Sequence, residues 1–274
     1  MSSNIHLGTS GWSYREWEGN FYRKGSGESK LHAYSRVFKT AEIDSTFYRN
    51  PTRGTVLGWL KYTPADFTFT AKLPKTITHD KALGLKRDVS GDLKEFIELM
   101  MPLQQAGKLG CLLIQLPPKY AYNPQNLESF FELLDPRFRY AAEFRNLSWL
   151  VPETETLRLL RKYDVAYTVV DEPLLPPEVH LTADFSYFRW HGHGSPVWFD
   201  YRYSSTQLEE WSPKVKETAG KVKKLYGYFN NHYHGYAPEN CLELLRRLGL
   251  QSEEQKRAQR KSRVKQSELG AFCT

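Results

Sequence analysis

Eight short apolar stretches, each ending in or followed at once by a polar or charged residue, constrain this chain more than any other feature. They fall at Ile5–Thr9, Thr40–Asp44, Phe67–Lys72, Gly110–Gln115, Tyr140–Arg145, Ala166–Val170, Ser186–His191 and Leu225–Phe229. Runs of this length suit strands and are too short for helices. Most are followed by apolar residues at helical spacing. Leu31, Tyr34, Val37 and Phe38 form one such set, and Val56, Leu57 and Leu60 another. A third runs over about Asp92–Gln104. Asn123-Pro124 opens a fourth through Leu127, Phe130, Phe131 and Leu134, and Pro152 a fifth with Leu157 and Leu160. Two more cover Thr206–Lys223 and the segment from Pro238 to a stop at Gly249. After the sixth strand Pro173, Pro176 and Pro177 exclude a regular helix, so that crossover is an extended loop. The pattern predicts an α/β fold, a (β/α)8 TIM-type barrel filling residues 1–250 as one domain. An open doubly wound sheet is the alternative, but no Gly-x-Gly-x-x-Gly follows the first strand.

The apolar content of 40% and aromatic content of 14% are ample for a buried core. The basic excess is uneven. Residues 251–274 hold six Lys or Arg against three Glu, leaving 32 basic and 28 acidic residues in 1–250. A body so nearly balanced is not an obvious nucleic-acid binder, and 251–274 reads as a basic C-terminal extension. The longest apolar runs, such as Leu112-Leu113-Ile114, are too short to span a membrane. Met1-Ser2-Ser3-Asn4 carries no signal-peptide pattern. Cys111, Cys241 and Cys273 are odd in number and far apart, which argues against a disulfide framework or a C-x-x-C site. A reducing, cytoplasmic location is expected.

In a barrel of this kind the site lies at the C-terminal strand ends. Those ends read Ser10, Glu42 and Asp44, Lys72, Gln115, Glu143 and Arg145, Asp171, Arg189 and His191, Asn230 and Asn231. Glu42/Asp44, Glu143/Arg145 and Arg189/His191 are each spaced by two, so each pair shares one strand face. If that face points inward, opposite charges converge on one cup. They form either an ion-pair plug or a wet pocket, and the cost of burying so many charges favours the pocket. Near balance of sign suits a polar ligand: a sugar, a phosphate ester or a nucleotide. Glu42, Asp44, Glu143, Asp171 and His191 are then candidates for proton transfer. Ser10, Lys72, Gln115, Arg145, Arg189, Asn230 and Asn231, with the loop aromatics Trp12 and Tyr48, are candidates for holding substrate.

Other chemistries are weaker. His191-Gly192-His193 and His232-Tyr233-His234 follow neighbouring strands, but loop histidines are more often solvated than ligating, and no metal or cofactor is expected. A Schiff base on Lys72 needs a neutral amine, which nearby carboxylates oppose. The aromatics Trp12, Tyr14, Trp17, Tyr48, Trp149, Trp190, Trp198, Tyr201 and Tyr203 cluster in or near the loops. They either pack the rim or offer a stacking platform to sugars or bases.

Several of these stretches together resemble one family. They are Gly8-Thr9-Ser10-Gly11-Trp12-Ser13-Tyr14, Glu42-Ile43-Asp44-Ser45-Thr46-Phe47-Tyr48, Gln115-Leu116-Pro117-Pro118, and Glu143-Phe144-Arg145 with Ser148-Trp149. Thr182-Ala183-Asp184-Phe185, Arg189-Trp190-His191-Gly192, and Tyr228-Phe229-Asn230-Asn231 with Gly235-Tyr236-Ala237 complete the set. The chain resembles the YecE-like family, domain of unknown function 72, from about residue 5 to 248. The resemblance implies a TIM-type barrel and brings no established activity; an endonuclease IV-like outline in some members is analogy only. His193 and His234 depart from the family pattern. The expectation is an enzyme of hydrolase type acting on a polar or phosphate-containing small molecule. A nucleic-acid-binding barrel using the aromatic loops and basic extension is the rival, and a ligand-binding protein without turnover the third reading. Oligomeric state is not legible.

Overall fold

The structure, a computed structural model, describes residues 4–150 and 153–260. Eight strands carry the chain: β1 Ile5–Thr9, β2 Thr40–Ile43, β3 Thr68–Lys72, β4 Leu109–Gln115, β5 Tyr140–Glu143, β6 Val165–Asp171, β7 Phe185–Trp190 and β8 Lys224–Phe229. Among the described residues, α-helices stand between or after them: α1 Lys30–Ser35, α2 Arg53–Lys61, α3 Ser90–Gln105, α4 Pro124–Phe131, α5 Glu153–Lys162, α6 Ser205–Lys221 and α7 Tyr236–Leu248. Local signals set several boundaries. Asn123 accepts the Asn126 amide at 3.0 Å with Pro124 beginning α4, Ser204 and Gln207 form a reciprocal cap on α6, and Gly249 (φ 73°) ends α7. Pro152, read as the start of α5, lies outside the described residues, as does the extension from 261 onward.

Every paired neighbour is parallel, in the order β1-β8-β7-β6-β5-β4-β3-β2. The barrel closes at the β1–β2 seam, where a bridge joins Ser10 to Glu42 and the Gly11 amide donates to the Glu42 carbonyl at 2.8 Å. Two residues make the seam. Gly8 has no side chain because a Cβ there would lie 2.2 Å from the Thr40 carbonyl oxygen. The buried Tyr34 hydroxyl of α1 accepts the Thr9 amide (2.9 Å) and donates to the Thr40 carbonyl (3.1 Å), standing in for ladder hydrogen bonds. No helix lies between β6 and β7, as the prolines predict; Thr182 pins that crossover to β6 by accepting the Tyr167 amide (2.8 Å) and donating to the Val165 carbonyl (2.7 Å).

Alternation sorts the strands into two cores. Cys111, Leu113, Ala141, Ala166, Phe185, Tyr187, Tyr226 and Tyr228 fill the barrel, while residues of the other parity, such as Val165, Tyr167 and Val169, pack outward under the helices. The extension begins by folding back: 253–260 are helical, and Gln255 donates to the Val37 carbonyl at 2.8 Å. Among the described residues no helix is long and apolar enough to cross a membrane.

Candidate functional site

Above the interior tyrosines, the inward parity delivers Ser10, Glu42, Lys72, Gln115, Glu143, Arg189, His191 and Asn230 to the C-terminal rim. Arg189 on β7 is the hub. It donates to Glu42 at 2.7 Å and to Glu143 at 2.6 Å, and Gln115 accepts from it at 3.2 Å. Glu42 also accepts from Ser10 (2.5 Å) and Tyr187 (2.7 Å), and Glu143 from Arg145 (2.6 Å). The result is a ladder of alternating charge: Glu42, Arg189, Glu143, Arg145. The side chains of its first three members have no solvent exposure, and that of Arg145 is 14% exposed.

This corrects the expectation of a wet pocket around those residues. Pairing offsets the cost of burial, because each carboxylate has several charge-assisted donors. Burial alone would raise the Glu143 carboxyl, but Arg145 and Arg189 hold it well below the usual carboxylate range. Glu42 is lowered too, Arg189 and Lys72 outweighing burial. Both stay ionised at any physiological pH. His191 is fully buried, its Nε2 3.4 Å from Glu143 and from the nearest nitrogens of Arg145 and Arg189, its Nδ1 3.0 Å from the Asn230 amide. Burial and then Arg189 push it down to about 3, so it is a neutral imidazole and not a group that titrates near pH 7.

Lys72 differs from the rest. It is 9% exposed, and among the described residues its Nζ makes no hydrogen bond or ion pair; it lies over the Phe47 ring, 5.6 Å from the centroid. Burial and then Arg189 lower it to about 8, with Glu42, Glu143 and Asp44 pulling the other way. It is the surplus cation above a ladder whose own charges cancel. The mouth around it is aromatic. Phe47 packs edge-on to His79 (4.8 Å), and Tyr14 stacks on His232 (4.4 Å), which is 5.9 Å from Phe199.

Other residues named from sequence lie elsewhere. Asp171 does not join the cup: it has the outward parity of β6, where Trp211 of α6 donates to it at 2.9 Å and His193 sits at 2.7 Å. Asp44 is half-buried at the seam, taking the Tyr14 hydroxyl at 2.9 Å. Trp12 packs on Trp59 of α2 and on Phe69, and Tyr48 is 73% exposed. Asn231 turns away to the Tyr201 carbonyl and Asn240, both at 2.8 Å. Trp17, Trp149, Trp190 and Tyr203 are buried packing. Among the described residues no three His, Cys, Asp or Glu side chains gather closely enough to hold a metal ion.

One rim residue escaped the sequence reading. Glu172 is 3% exposed, and neither carboxyl oxygen has a hydrogen-bond partner among the described residues. Counting by two from the small interior residue Ala166 through Thr168 and Val170 arrives at Glu172, not at Asp171. Stopping the strand at Val170 and taking the next acid placed the carboxylate on the wrong face.

Fold and site together define a TIM-type barrel with a sealed ion-pair floor and an aromatic, singly cationic mouth at the C-terminal rim. The family model described as "Protein of unknown function DUF72" matches residues 6–265, past the last recognised motif, and the chain belongs to that family. It is 26% identical to the UPF0759 protein YunF of Bacillus subtilis, across 90% of this chain and 95% of that protein. It is 31% identical to the UPF0759 protein YecE of Escherichia coli over 160 residues, 57% of this chain and 54% of that one. A DUF72 family protein of Thermotoga maritima superposes with TM-score 0.78 at 30% identity, covering 89% and 99% of the two chains. Another from Enterococcus faecalis gives TM-score 0.81 at 23% identity, covering 91% and 97%, and shows the shared fold.

Proposed function

We propose that this barrel is an enzyme whose mouth binds a small polar substrate by an anionic oxygen, of a phosphate or carboxylate, at Lys72. Acid–base chemistry such as hydrolysis then takes place above the sealed ladder. The unpaired, nearly buried ammonium carries this reading. The four charges of the ladder are paired among themselves, and a desolvated ammonium without a counter-ion is a ready partner for an anion. The aromatic edges of Phe47, His79 and Phe199 supply apolar walls to the same space. Calorimetric titration with sulfate tests it. The wild type is expected to bind, and Lys72→Met to lose at least tenfold in affinity while melting normally; equal affinity would sink the reading. Binding by wild type with no turnover of any phosphorylated or carboxylated compound would instead indicate a non-catalytic binder.

A second reading rests on the loops after β2, β3 and β4. Arg49, Lys75, Lys86, Arg87 and Lys119 are exposed on these loops, as is Tyr48, and among the described residues none of the five forms a salt bridge. Basic side chains around an exposed ring suit single-stranded nucleic acid. Oligonucleotide affinity that falls steeply with salt, and falls further on Arg87→Ala, would support it.

A further inference from the structure

Glu172 stands apart from the other acids of the rim. Glu42 and Glu143 each accept at least two hydrogen bonds, whereas the Glu172 carboxyl is buried too and accepts none among the described residues. It is the first residue after β6, and Glu143, Arg145 and Arg189 act on it, which sets it at the mouth beside the ladder. The charged groups acting on it are Glu143 on β5, Arg145 just beyond β5 and Arg189 on β7, and Glu143 is already paired with both arginines. Such a site leaves an ionised carboxylate without donors, and the group escapes that cost by keeping its proton. Burial first, then Glu143, raises it to about 7, with Arg145 and Arg189 opposing. A protonated carboxyl still has an O–H and a carbonyl oxygen to satisfy, and a polar group this buried without partners calls for a ligand.

We propose that Glu172 is the proton-carrying group of the mouth, giving its carboxyl proton to an oxygen of the substrate held at Lys72 and taking it back in the reverse step. This rests on the anion-binding reading above and extends it. The O–H bond of Glu172 breaks, the substrate oxygen gains the proton, and the carboxylate left behind faces Arg145 and Arg189. With Glu143 held ionised beside it, the two acids divide the roles of fixed charge and mobile proton. β3 and β6 stand three strands apart round the ring, so the substrate class is a phosphorylated or carboxylated compound with a second oxygen at its far end.

Two measurements on the full chain test this. Infrared difference spectra between wild type and Glu172→Gln are expected to show a protonated-carboxyl band in wild type at about pH 6 that disappears with a midpoint near 7. Sulfate keeps its charge over this range. Its wild-type affinity is expected to fall about tenfold per pH unit above that midpoint, as the competent protonated fraction falls. In Glu172→Gln it stays level until Lys72 loses its proton near 8. Absence of the band, or superimposable sulfate profiles, overturns the inference and leaves the Lys72 reading standing. A titrating band with sulfate affinity unchanged in Lys72→Met removes the Lys72 reading and leaves the protonation of Glu172 established.

Discussion

At the scale of single residues, the arithmetic of Arg189 governs what mutation will do. Its guanidinium bridges two carboxylates that have no solvent exposure. Arg189→Gln leaves Glu42 without its paired cation and Glu143 with Arg145 alone, and the expected cost is about 3–5 kcal/mol of unfolding free energy, read from urea melts. A loss under 1 kcal/mol would mean that water reaches the ladder after all. Glu172→Gln should act in the opposite direction. Its carboxyl is higher in the folded state, about 7, than the ordinary 4.5. The stability it confers is therefore complete below about 4.5 and lost as pH rises toward 7. At pH 8 the variant should be more stable than wild type by on the order of 2–3 kcal/mol, and the advantage should vanish near pH 4.5. A pH-independent difference would show that Glu172 does not titrate there. Much of this was legible in the chain. Glu42, Glu143, Arg189 and His191 follow from strand ends and the two-residue period. The isolation of Lys72 and the burial of Glu172 did not follow, because they depend on which neighbours are already paired, a property of the ring and not of any one strand.

At the scale of elements, the seam between β1 and β2 is where the barrel is most exposed to damage. Among the described residues its strands share one bridge, and the Tyr34 hydroxyl serves the Thr9 amide and the Thr40 carbonyl. Tyr34→Phe leaves the Thr9 amide and the Thr40 carbonyl short of partners at no cost in apolar area. The expected loss is about 1–3 kcal/mol, with faster hydrogen exchange at Thr9 than at amides of β6 or β7. Unchanged exchange at Thr9 would show that the seam holds without the hydroxyl. The strands and helices themselves were readable because local rules and tertiary packing agree. Asn123-Pro124 starts a helix, Gly249 stops one, and three prolines forbid one after β6. The seam was not readable. Nothing in Gly8 or Tyr34 taken alone announces that one makes room for β2 and the other bonds to it.

At the scale of the whole molecule, one buried and two half-buried histidines make the barrel acid-labile at a pH well above that of its carboxylates. Burial lowers His6 and His79 to about 4 and His191 to about 3, from an ordinary 6.5. For a base depressed in the folded state, the stability it confers is complete above 6.5 and is lost as pH falls toward the folded value, because the unfolded chain takes up the proton first. Three such groups give a slope of about three protons between pH 6.5 and 4.5. Glu172, titrating in the opposite sense over the same interval, removes about one. The net uptake of about two protons corresponds to roughly 2–3 kcal/mol lost per pH unit, which consumes the margin of an ordinary domain within two to three units. Below about 4.5 the ladder carboxylates Glu42 and Glu143, depressed in the fold, add to the same slope. Urea midpoints measured from pH 7 to 4.5 should therefore fall steadily. Glu172→Gln should steepen the fall, and His6→Asn, remote from the mouth, should flatten it by about one proton. Midpoints that stay constant down to pH 5 would mean that the histidines are charged in the folded barrel, and the neutral state assigned to His191 beside Arg189 would have to be abandoned.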